Sequence, residues 1–186
     1  MLVLTSYNLK KDCNLSNSNQ VTDSIKHKYY FDRTKYKKHK SGFYLSEKND
    51  VFQLNELQYK DSDGEVKMHF WIDSLLFYPH YPYKRQLKEF IDLNTFISDT
   101  LGNFEKDKNN VYFYKSSSDG VMRFIVKKAD PKTFNTIIDR WGKDKSTIYY
   151  ETDVVKKADL KTFIVLKDKD SARDKNYRYY RGKRIR

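Results

Sequence analysis

The side chains that could support catalysis or metal binding are few, and their spacing does not group them. The single cysteine, Cys13, has no obvious neighbouring base to activate its thiol, and one cysteine makes neither an internal disulfide nor a multi-cysteine metal site. None of the four histidines belongs to a zinc pattern such as His-Glu-x-x-His; they are His27, His39, His69 and His80. We therefore predict no catalytic residue, no metal and no cofactor, and hence no enzyme.

Recurring aspartates suggest a second kind of chemistry, calcium binding. Asp107, Asp144 and Asp174 each stand in a polar turn sequence. A lysine follows each of them directly, and its charge opposes a cation; no second acidic residue follows at the spacing of a calcium loop. We therefore interpret these aspartates as turn-capping residues, since an Asp side chain accepts hydrogen bonds from nearby backbone N–H groups.

Positive charge is the third candidate for function. The formal net charge is +12, with basic runs at Lys26 to Lys40 and at Lys175 to Arg186. Such runs suggest an anionic partner. Lysines also solvate a sheet and protect its edges, and that is the simpler interpretation wherever Asp and Glu are interleaved with them.

Tyrosine and arginine alternate in the last basic run. Arginine binds phosphates and tyrosine stacks on bases, so nucleic-acid binding is one interpretation. The same tyrosine pattern recurs upstream without an excess of arginine, which favours a strand pattern with a solvated basic tail. The candidate binding residues are Tyr112, Tyr114, Tyr149, Tyr150, Arg178, Tyr179, Tyr180, Arg181 and Arg184.

The composition predicts a folded chain with an aromatic core. Aromatic residues make up 16% of the sequence, although mean hydropathy is −0.90; disordered chains are poor in aromatic residues. Tyrosine suits half-buried strand faces. No apolar stretch at the start is long enough for a signal peptide or a membrane span, so the chain as given is expected to be soluble and cytoplasmic. Residues 2–6 resemble the end of a lipoprotein signal, so an incomplete N-terminus would imply export.

The first half of the chain divides into a leader and a β-rich segment. Residues 13–24 are polar and aperiodic, which predicts that residues 1–24 form a flexible leader. Residues 25–91 contain short aromatic runs, with a hairpin turn around Asp63 and Gly64. The spacing of Leu87, Phe90 and Ile91 predicts one short helix near residues 83–91. The expected fold class is mainly β, a β-rich α+β fold with short antiparallel strands.

Three internal repeats occupy residues 92–186. Each begins with Asp-x-x-Thr-Phe, and a second element, such as Asp-Lys-Asn, follows 15, 14 and 15 residues later, counted from Asp to Asp. An aromatic strand follows each second element, and residues 116–120 lengthen the first hairpin. The predicted turn and core-anchor residues are Asp107, Asp130, Phe134, Asp144, Asp159, Phe163 and Asp174.

A unit with this order of elements resembles the DKNYY family, over about residues 92–186. The resemblance implies a bacterial protein, often exported or of lipoprotein type, without established activity or catalytic residues. Ser146 stands where the pattern has Asn, so a looser turn is expected there. Repeats of this size cannot bury their own apolar face, so we expect them to stack as one unit with the segment before them.

These observations favour a non-enzymatic bacterial module that binds another protein, in particular an acidic one, or has a structural role. Two alternatives stay open at this point. One is an immunity protein that neutralises an acidic bacterial toxin, and the other is a basic nucleic-acid-binding protein. The sequence leaves the partner and the oligomeric state undetermined.

Overall fold

The computed structural model describes residues 25–29, 31–73, 75–76, 85–117 and 120–185. The predicted flexible leader, residues 1–24, lies outside the described residues. The described chain is mainly β: its helical structure is limited to two 3-10 turns, at Arg33–Lys35 and Leu87–Glu89.

The first sheet has five strands. They are β1 (Ile25–Tyr29), β2 (Tyr36–Lys38), β3 (Tyr44–Ser46), β4 (Val51–Lys60) and β5 (Val66–Asp73), in the order β1-β5-β4-β3-β2. Strands β2 to β5 form an antiparallel meander, and β1 adds to β5 in parallel. The predicted hairpin at Asp63 and Gly64 is confirmed, because Lys60 of β4 pairs with Val66 of β5. Gly64 has φ +79°, a backbone conformation that favours glycine.

Three four-stranded meanders follow a two-stranded pair, β6 (Leu75–Leu76) and β7 (Arg85–Gln86). The second sheet comprises β8 (Ile97–Ser98), β9 (Phe104–Lys106), β10 (Val111–Ser117) and β11 (Gly120–Ile125). The third comprises β12 (Asn135–Ile138), β13 (Trp141–Lys143), β14 (Ile148–Tyr150) and β15 (Asp153–Val154), and the fourth comprises β16 (Ile164–Val165), β17 (Ser171–Arg173), β18 (Arg178–Tyr180) and β19 (Lys183–Ile185).

The predicted helix near residues 83–91 is wrong. Within the described part of that span, β7 is followed by a single 3-10 turn, in which the Leu87 carbonyl accepts from the N–H groups of Phe90 and Ile91 at 3.1 and 3.0 Å. Leu87 and Ile91 are buried, so the apolar side chains of this span do pack into the core, as their spacing indicated. The Asp92 turn begins at once, however, and one isolated turn cannot propagate into a stable helix. The fold is therefore mainly β rather than α+β.

Each repeat found in the sequence forms one of the last three sheets. We call residues 92–117 with β11 the first copy, residues 130–154 the second copy and residues 159–185 the third copy. A phenylalanine of each Asp-x-x-Thr-Phe element packs on an aromatic ring of the preceding sheet: Phe96 on Phe43 at 5.0 Å between ring centroids, Phe134 on Phe104 at 5.0 Å, and Phe163 on Trp141 at 5.4 Å. These ring contacts link the four meanders in chain order.

The first sheet is itself a degenerate copy of the repeat. Ser46 of β3 takes the place of Asp107, because the pairs Tyr44–Phe52 and Leu45–Val51 match Glu105–Tyr112 and Lys106–Val111. The Tyr36 and Phe52 rings lie 5.2 Å apart, as Phe96 and Tyr112 lie 6.1 Å apart. We call residues 32–60 with β5 the N-terminal copy.

The N-terminal copy also begins with a capping aspartate. The Asp32 carboxylate accepts from the Thr34 N–H at 3.0 Å, and the Asp92 carboxylate accepts from the Thr95 N–H at 3.1 Å. From Asp32 to Ser46 the separation is 14 residues, within the range of the three later copies. The repeat pattern therefore occurs four times along the described chain.

A buried polar seam joins the N-terminal copy to the first copy. The Arg123 guanidinium donates to both carboxylate oxygens of Glu105, at 2.6 and 3.1 Å, and to the side-chain oxygen of Gln53. The Asn55 side chain accepts from the Val121 N–H at 2.9 Å. The predicted lengthening of the first copy's hairpin extends the strands β10 and β11. This extension brings Arg123 of β11 into contact with Gln53 of β4. Residues 118–119, at the tip of the hairpin, lie outside the described residues.

The first and second copies also meet through their backbones. Gly102 forms a parallel bridge with Asp139, and the Asn103 N–H donates to the Asp139 carbonyl at 2.9 Å. A Cβ atom on Gly102 would lie 2.2 Å from that carbonyl oxygen. Glycine is required at this position because the two backbone segments approach more closely than any side chain permits.

Candidate functional site

The repeated aspartate is the centre of a hydrogen-bonded group that we call the carboxylate–tyrosine tether. In the second copy, Oδ1 of Asp144 accepts from the backbone N–H groups of Ser146 and Thr147, both at 2.8 Å. Its Oδ2 accepts from the Tyr149 hydroxyl at 2.9 Å and from the Asp130 N–H at 3.1 Å. Both carboxylate oxygens are therefore fully used inside the fold.

The other two copies build the same tether. Asp107 and Asp174 each accept from two backbone N–H groups of their own turn, from the hydroxyl of a tyrosine five residues later, and from the N–H of the aspartate that opens the copy. The contributing residues are Asn109, Asn110, Tyr112 and Asp92 in the first copy and Asn176, Tyr177, Tyr179 and Asp159 in the third, at 2.7–2.8 Å.

Ser146 does not loosen the turn of the second copy. Its N–H donates to Asp144 as an asparagine N–H would, and its hydroxyl adds a hydrogen bond to the same oxygen at 3.0 Å. The expected weak turn is therefore wrong, because the contact depends on the backbone and serine adds a donor to it.

A second contact explains why the two sequence elements keep a spacing of 14 or 15 residues. The threonine hydroxyl of Asp-x-x-Thr-Phe accepts from the N–H of the lysine in the second element. The pairs are Thr95 with Lys108 at 3.0 Å, Thr133 with Lys145 at 3.2 Å and Thr162 with Lys175 at 3.1 Å. The same lysines form ion pairs with Asp92, Asp130 and Asp159. Such exposed pairs contribute little to stability, so the backbone contacts dominate.

The tether holds its titratable groups in one protonation state. Burial raises the pKa of Tyr149, and the hydrogen bond to Asp144 raises it further; the pKa values of Tyr112 and Tyr179 are raised by the same two causes. Burial alone would raise the pKa of Asp144, but hydrogen bonds from the Ser146 and Asp130 N–H groups outweigh it and lower that pKa. Groups that do not titrate near neutral pH are poor general acids or bases.

Most of the candidate binding tyrosines lie inside the protein. Tyr112, Tyr149 and Tyr179 are at most 1% exposed, and Tyr150 is buried against Trp141 with ring centroids 4.7 Å apart. Tyr114 is half-buried. Tyr180 differs, because 45% of it is exposed. This placement favours an anchoring role for the buried tyrosines and leaves Tyr180 available to a partner.

The candidate arginines lie on the surface of the fourth sheet. Arg181 forms a two-nitrogen ion pair with Asp170, at 3.1 and 3.0 Å. The Arg184 guanidinium lies 4.6 Å from the centre of the Tyr177 ring. Arg178 is exposed and has no ion pair with a described residue. The predicted anchors Phe134 and Phe163 pack on Tyr149 and Tyr179, with ring centroids 5.9 and 5.7 Å apart.

Strand pairing places a second arginine beside Arg178. Across the four strands of the fourth sheet, Ile164 pairs with Arg173, Arg173 with Arg178 and Arg178 with Ile185. Ser171, Tyr180 and Lys183 form the next row on the same side. We call this surface the terminal face; it comprises Ile164, Leu166, Ser171, Arg173, Arg178, Tyr180, Lys183 and Ile185. Sequence reasoning missed Arg173 as a binding candidate, because its position opposite Arg178 depends on the register of β17 and β18.

An open groove borders the terminal face. Its lining residues are Arg173, Asp174, Lys175, Asn176, Tyr177, Arg178, Arg184 and Ile185. The lining has four cationic side chains and one carboxylate, and that carboxylate belongs to the tether. Guanidinium groups bind carboxylates and phosphates through two parallel hydrogen bonds, so the groove is chemically suited to an anionic group.

Two kinds of feature are absent from the described part of the chain. Among those residues, no three metal-binding side chains cluster. Nor does the described chain contain a helix with the length and apolar character needed to cross a bilayer.

Comparison with known proteins gives one family match. The model of the DKNYY family matches residues 9–183. No curated protein and no solved structure gives a significant match. The chain therefore belongs to the DKNYY family, and the match extends well beyond residues 92–186, where the sequence pattern alone is recognisable, into the N-terminal copy.

Proposed function

We propose that this member of the DKNYY family is a non-enzymatic binding module that holds an acidic protein on its fourth sheet. The observation that supports this most directly is the pair Arg173 and Arg178, which lie opposite each other on neighbouring strands without an ion pair to a described residue. Like charges in directly opposite positions destabilise a sheet. A carboxylate from a partner would relieve that repulsion.

The internal use of the family residues supports the same proposal. The recurring aspartates, threonines and tyrosines are taken up by the tether and its bracing contacts. The side chains that remain to bind a partner are then the exposed ones, which differ from copy to copy. On the fourth sheet these are mainly arginines and large apolar side chains.

A more specific form of the proposal is an immunity protein whose partner is an acidic bacterial toxin. The cationic lining of the groove suits such a partner, because opposite charges accelerate association and select against basic proteins. Co-production of the captured partner with and without this chain tests this form. Rescue of growth by the chain is expected if the partner is a toxin, and a harmless partner would contradict it.

The test of the proposed function is capture with the full chain as bait. Nuclease-treated lysate of the source cells is passed over the immobilised chain at low and at physiological salt, and the bound proteins are identified by mass spectrometry. We expect an acidic protein that remains bound at about 0.15 M salt, where exposed charges are screened beyond about 8 Å.

A parallel capture from untreated lysate tests the alternative. Bulk nucleic acid that binds at low salt and leaves as salt rises, without a retained protein, would contradict the proposal. That result would instead indicate a sequence-independent basic surface, because phosphate contacts weaken steeply with salt.

A further inference from the structure

The terminal face lies where another copy of the repeat would stack. Three positions of this face have equivalents in the first and second copies that are at most 7% exposed, covered by the copy that follows; they are Phe104, Val111 and Phe113, and Trp141, Ile148 and Tyr150. Their counterparts in the third copy are Ser171, Arg178 and Tyr180. Arg173 and Ile164 lie at the margin of that stacking contact, because their equivalents in the second copy, Lys143 and Asn135, are exposed. Arg178 is exposed and Tyr180 is 45% exposed, so a stacking position is present without a cover among the described residues.

This face has the apolar content of an interface. Of the seven large apolar side chains that are exposed in the described chain, four lie on it: Ile164, Leu166, Tyr180 and Ile185. They surround the arginines, with Ile164 and Ile185 at the two ends of the row that contains Arg173 and Arg178. Apolar side chains around a central charged pair resemble the composition of protein interfaces, where arginine and aromatic residues are enriched.

Charge decides which partner fits. The ion pairs of the fourth sheet use other cations, namely Lys169, Lys175 and Arg181. Arg173 and Arg178 have none with a described residue, so both guanidinium groups are available. A second copy of this chain would bring arginine against arginine in a symmetric contact, which opposes self-association.

We infer that the terminal face docks an acidic protein surface that presents carboxylates flanked by apolar or aromatic side chains, in the place where another repeat copy would stack. This inference rests on the proposed function and assigns its binding surface. The carboxylates would pair with Arg173 and Arg178, and the apolar side chains would cover Ile164, Tyr180 and Ile185. A phosphate backbone would pair with the arginines but leave the isoleucines exposed to water.

The test is a titration of the full, isotope-labelled chain followed by amide NMR. The probe is a synthetic peptide with alternating Glu and Phe residues. A peptide with Gln in place of Glu and a short thymidine oligonucleotide serve as comparisons. We expect shifts of the amides of Ser171, Arg173, Arg178 and Tyr180 with the acidic peptide, and weaker binding of the other two probes.

Two variants with the same change of charge make the result specific. Arg173→Glu with Arg178→Glu should weaken binding of the acidic peptide by about tenfold or more, as expected when buried charge pairs are lost. Lys156→Glu with Lys161→Glu alters two exposed lysines outside the terminal face, one just before the third copy and one within it, and should leave affinity within about twofold. Unchanged amide spectra elsewhere would show that both variants are folded.

Several outcomes would overturn the inference. They are the absence of shifts at the highest soluble peptide concentration, shifts on another surface, an equal loss with both variants, and tighter binding of the oligonucleotide. Failure of this surface and failure of the proposed function are separable. An acidic protein that is captured equally by the chain and by the Arg173→Glu, Arg178→Glu variant would preserve the binding of an acidic protein but remove the terminal face from it.

Discussion

The N-terminal copy and the second copy have the same antiparallel meander but different means of holding it. In the second copy Asp144 accepts from backbone N–H groups and from the Tyr149 hydroxyl. In the N-terminal copy Ser46 and Phe52 occupy those two positions, and among the described residues the Ser46 hydroxyl accepts from a single donor, the Asp50 N–H, at 3.1 Å. The tether is therefore one way to close this turn, and the meander forms without it.

The N-terminal copy is held from outside instead. Its strand β4 contributes Gln53 and Asn55 to the buried seam with Arg123 and Glu105. These polar side chains are at most 8% exposed, so each needs its partners. A copy can lose its own tether where a neighbour supplies equivalent hydrogen bonds, and the following predictions test that difference.

The largest effect is expected from alkali, which attacks all three tethers at once. The pKa values of Tyr112, Tyr149 and Tyr179 are raised above the ordinary 10.0, so folding favours their neutral form. The resulting stability is complete below pH 10.0 and is lost as the pH rises toward the folded-state values. Tyrosinate absorbance and circular dichroism should then change together. Ionisation of all tyrosines near pH 10.0 with the fold intact would contradict the tether.

Loss of the seam should come next. In Arg123→Met the buried Glu105 carboxylate keeps no cation, which we expect to lower the free energy of unfolding by about 3–5 kcal/mol. Urea denaturation measures the change. The double variant Arg123→Met, Glu105→Leu removes both charges and should recover most of the loss. A single variant within about 1 kcal/mol of the parent chain would show that the seam is not what holds the N-terminal copy.

Removal of one tether carboxylate should have an intermediate effect. Asp144→Ala leaves two turn N–H groups and the Asp130 N–H without their acceptor, while the Tyr149 hydroxyl keeps the Lys128 carbonyl at 3.1 Å, so we expect a loss of about 2–3 kcal/mol. Ser46→Ala is the matched change in the N-terminal copy and should cost no more than about 1 kcal/mol, because one N–H is affected. Equal losses in urea denaturation would erase the proposed difference between the copies.

The smallest effect is expected from a single hydroxyl. Tyr149→Phe keeps the buried ring and removes one donor to Asp144, which should cost about 1 kcal/mol. Tyr180→Phe is the control: its ring is exposed, and the change should stay within about 0.5 kcal/mol. Thermal denaturation of the pair separates the two roles. A larger loss of stability in Tyr180→Phe than in Tyr149→Phe would contradict the anchoring role of the Tyr149 hydroxyl.

The three later copies could be predicted from sequence because their tether depends on residue identity. Asp, Thr and Tyr recur at fixed spacing, since each supplies an atom that the turn requires. The N-terminal copy was not recognisable, because Ser46 and Phe52 replace two of the defining residues and its turn is one residue longer.

Strand register accounts for most of what the sequence did not reveal. The tyrosine pairs Tyr149–Tyr150 and Tyr179–Tyr180 look alike, yet Tyr150 is covered by the third copy and Tyr180 is exposed. Nothing local distinguishes them, since the difference is whether another sheet of the described chain packs on the tyrosine. The terminal face was likewise invisible, because Arg173 and Arg178 become neighbours only through the pairing of β17 with β18.

The ring contact between successive copies has a consequence for how this family can change over time. The same junction occurs three times, in the ring contacts of Phe96 with Phe43, Phe134 with Phe104 and Phe163 with Trp141. A gene duplication that inserts one copy between two others would meet a matching junction on both sides. Such an insertion would therefore leave the cores of the neighbouring copies unchanged.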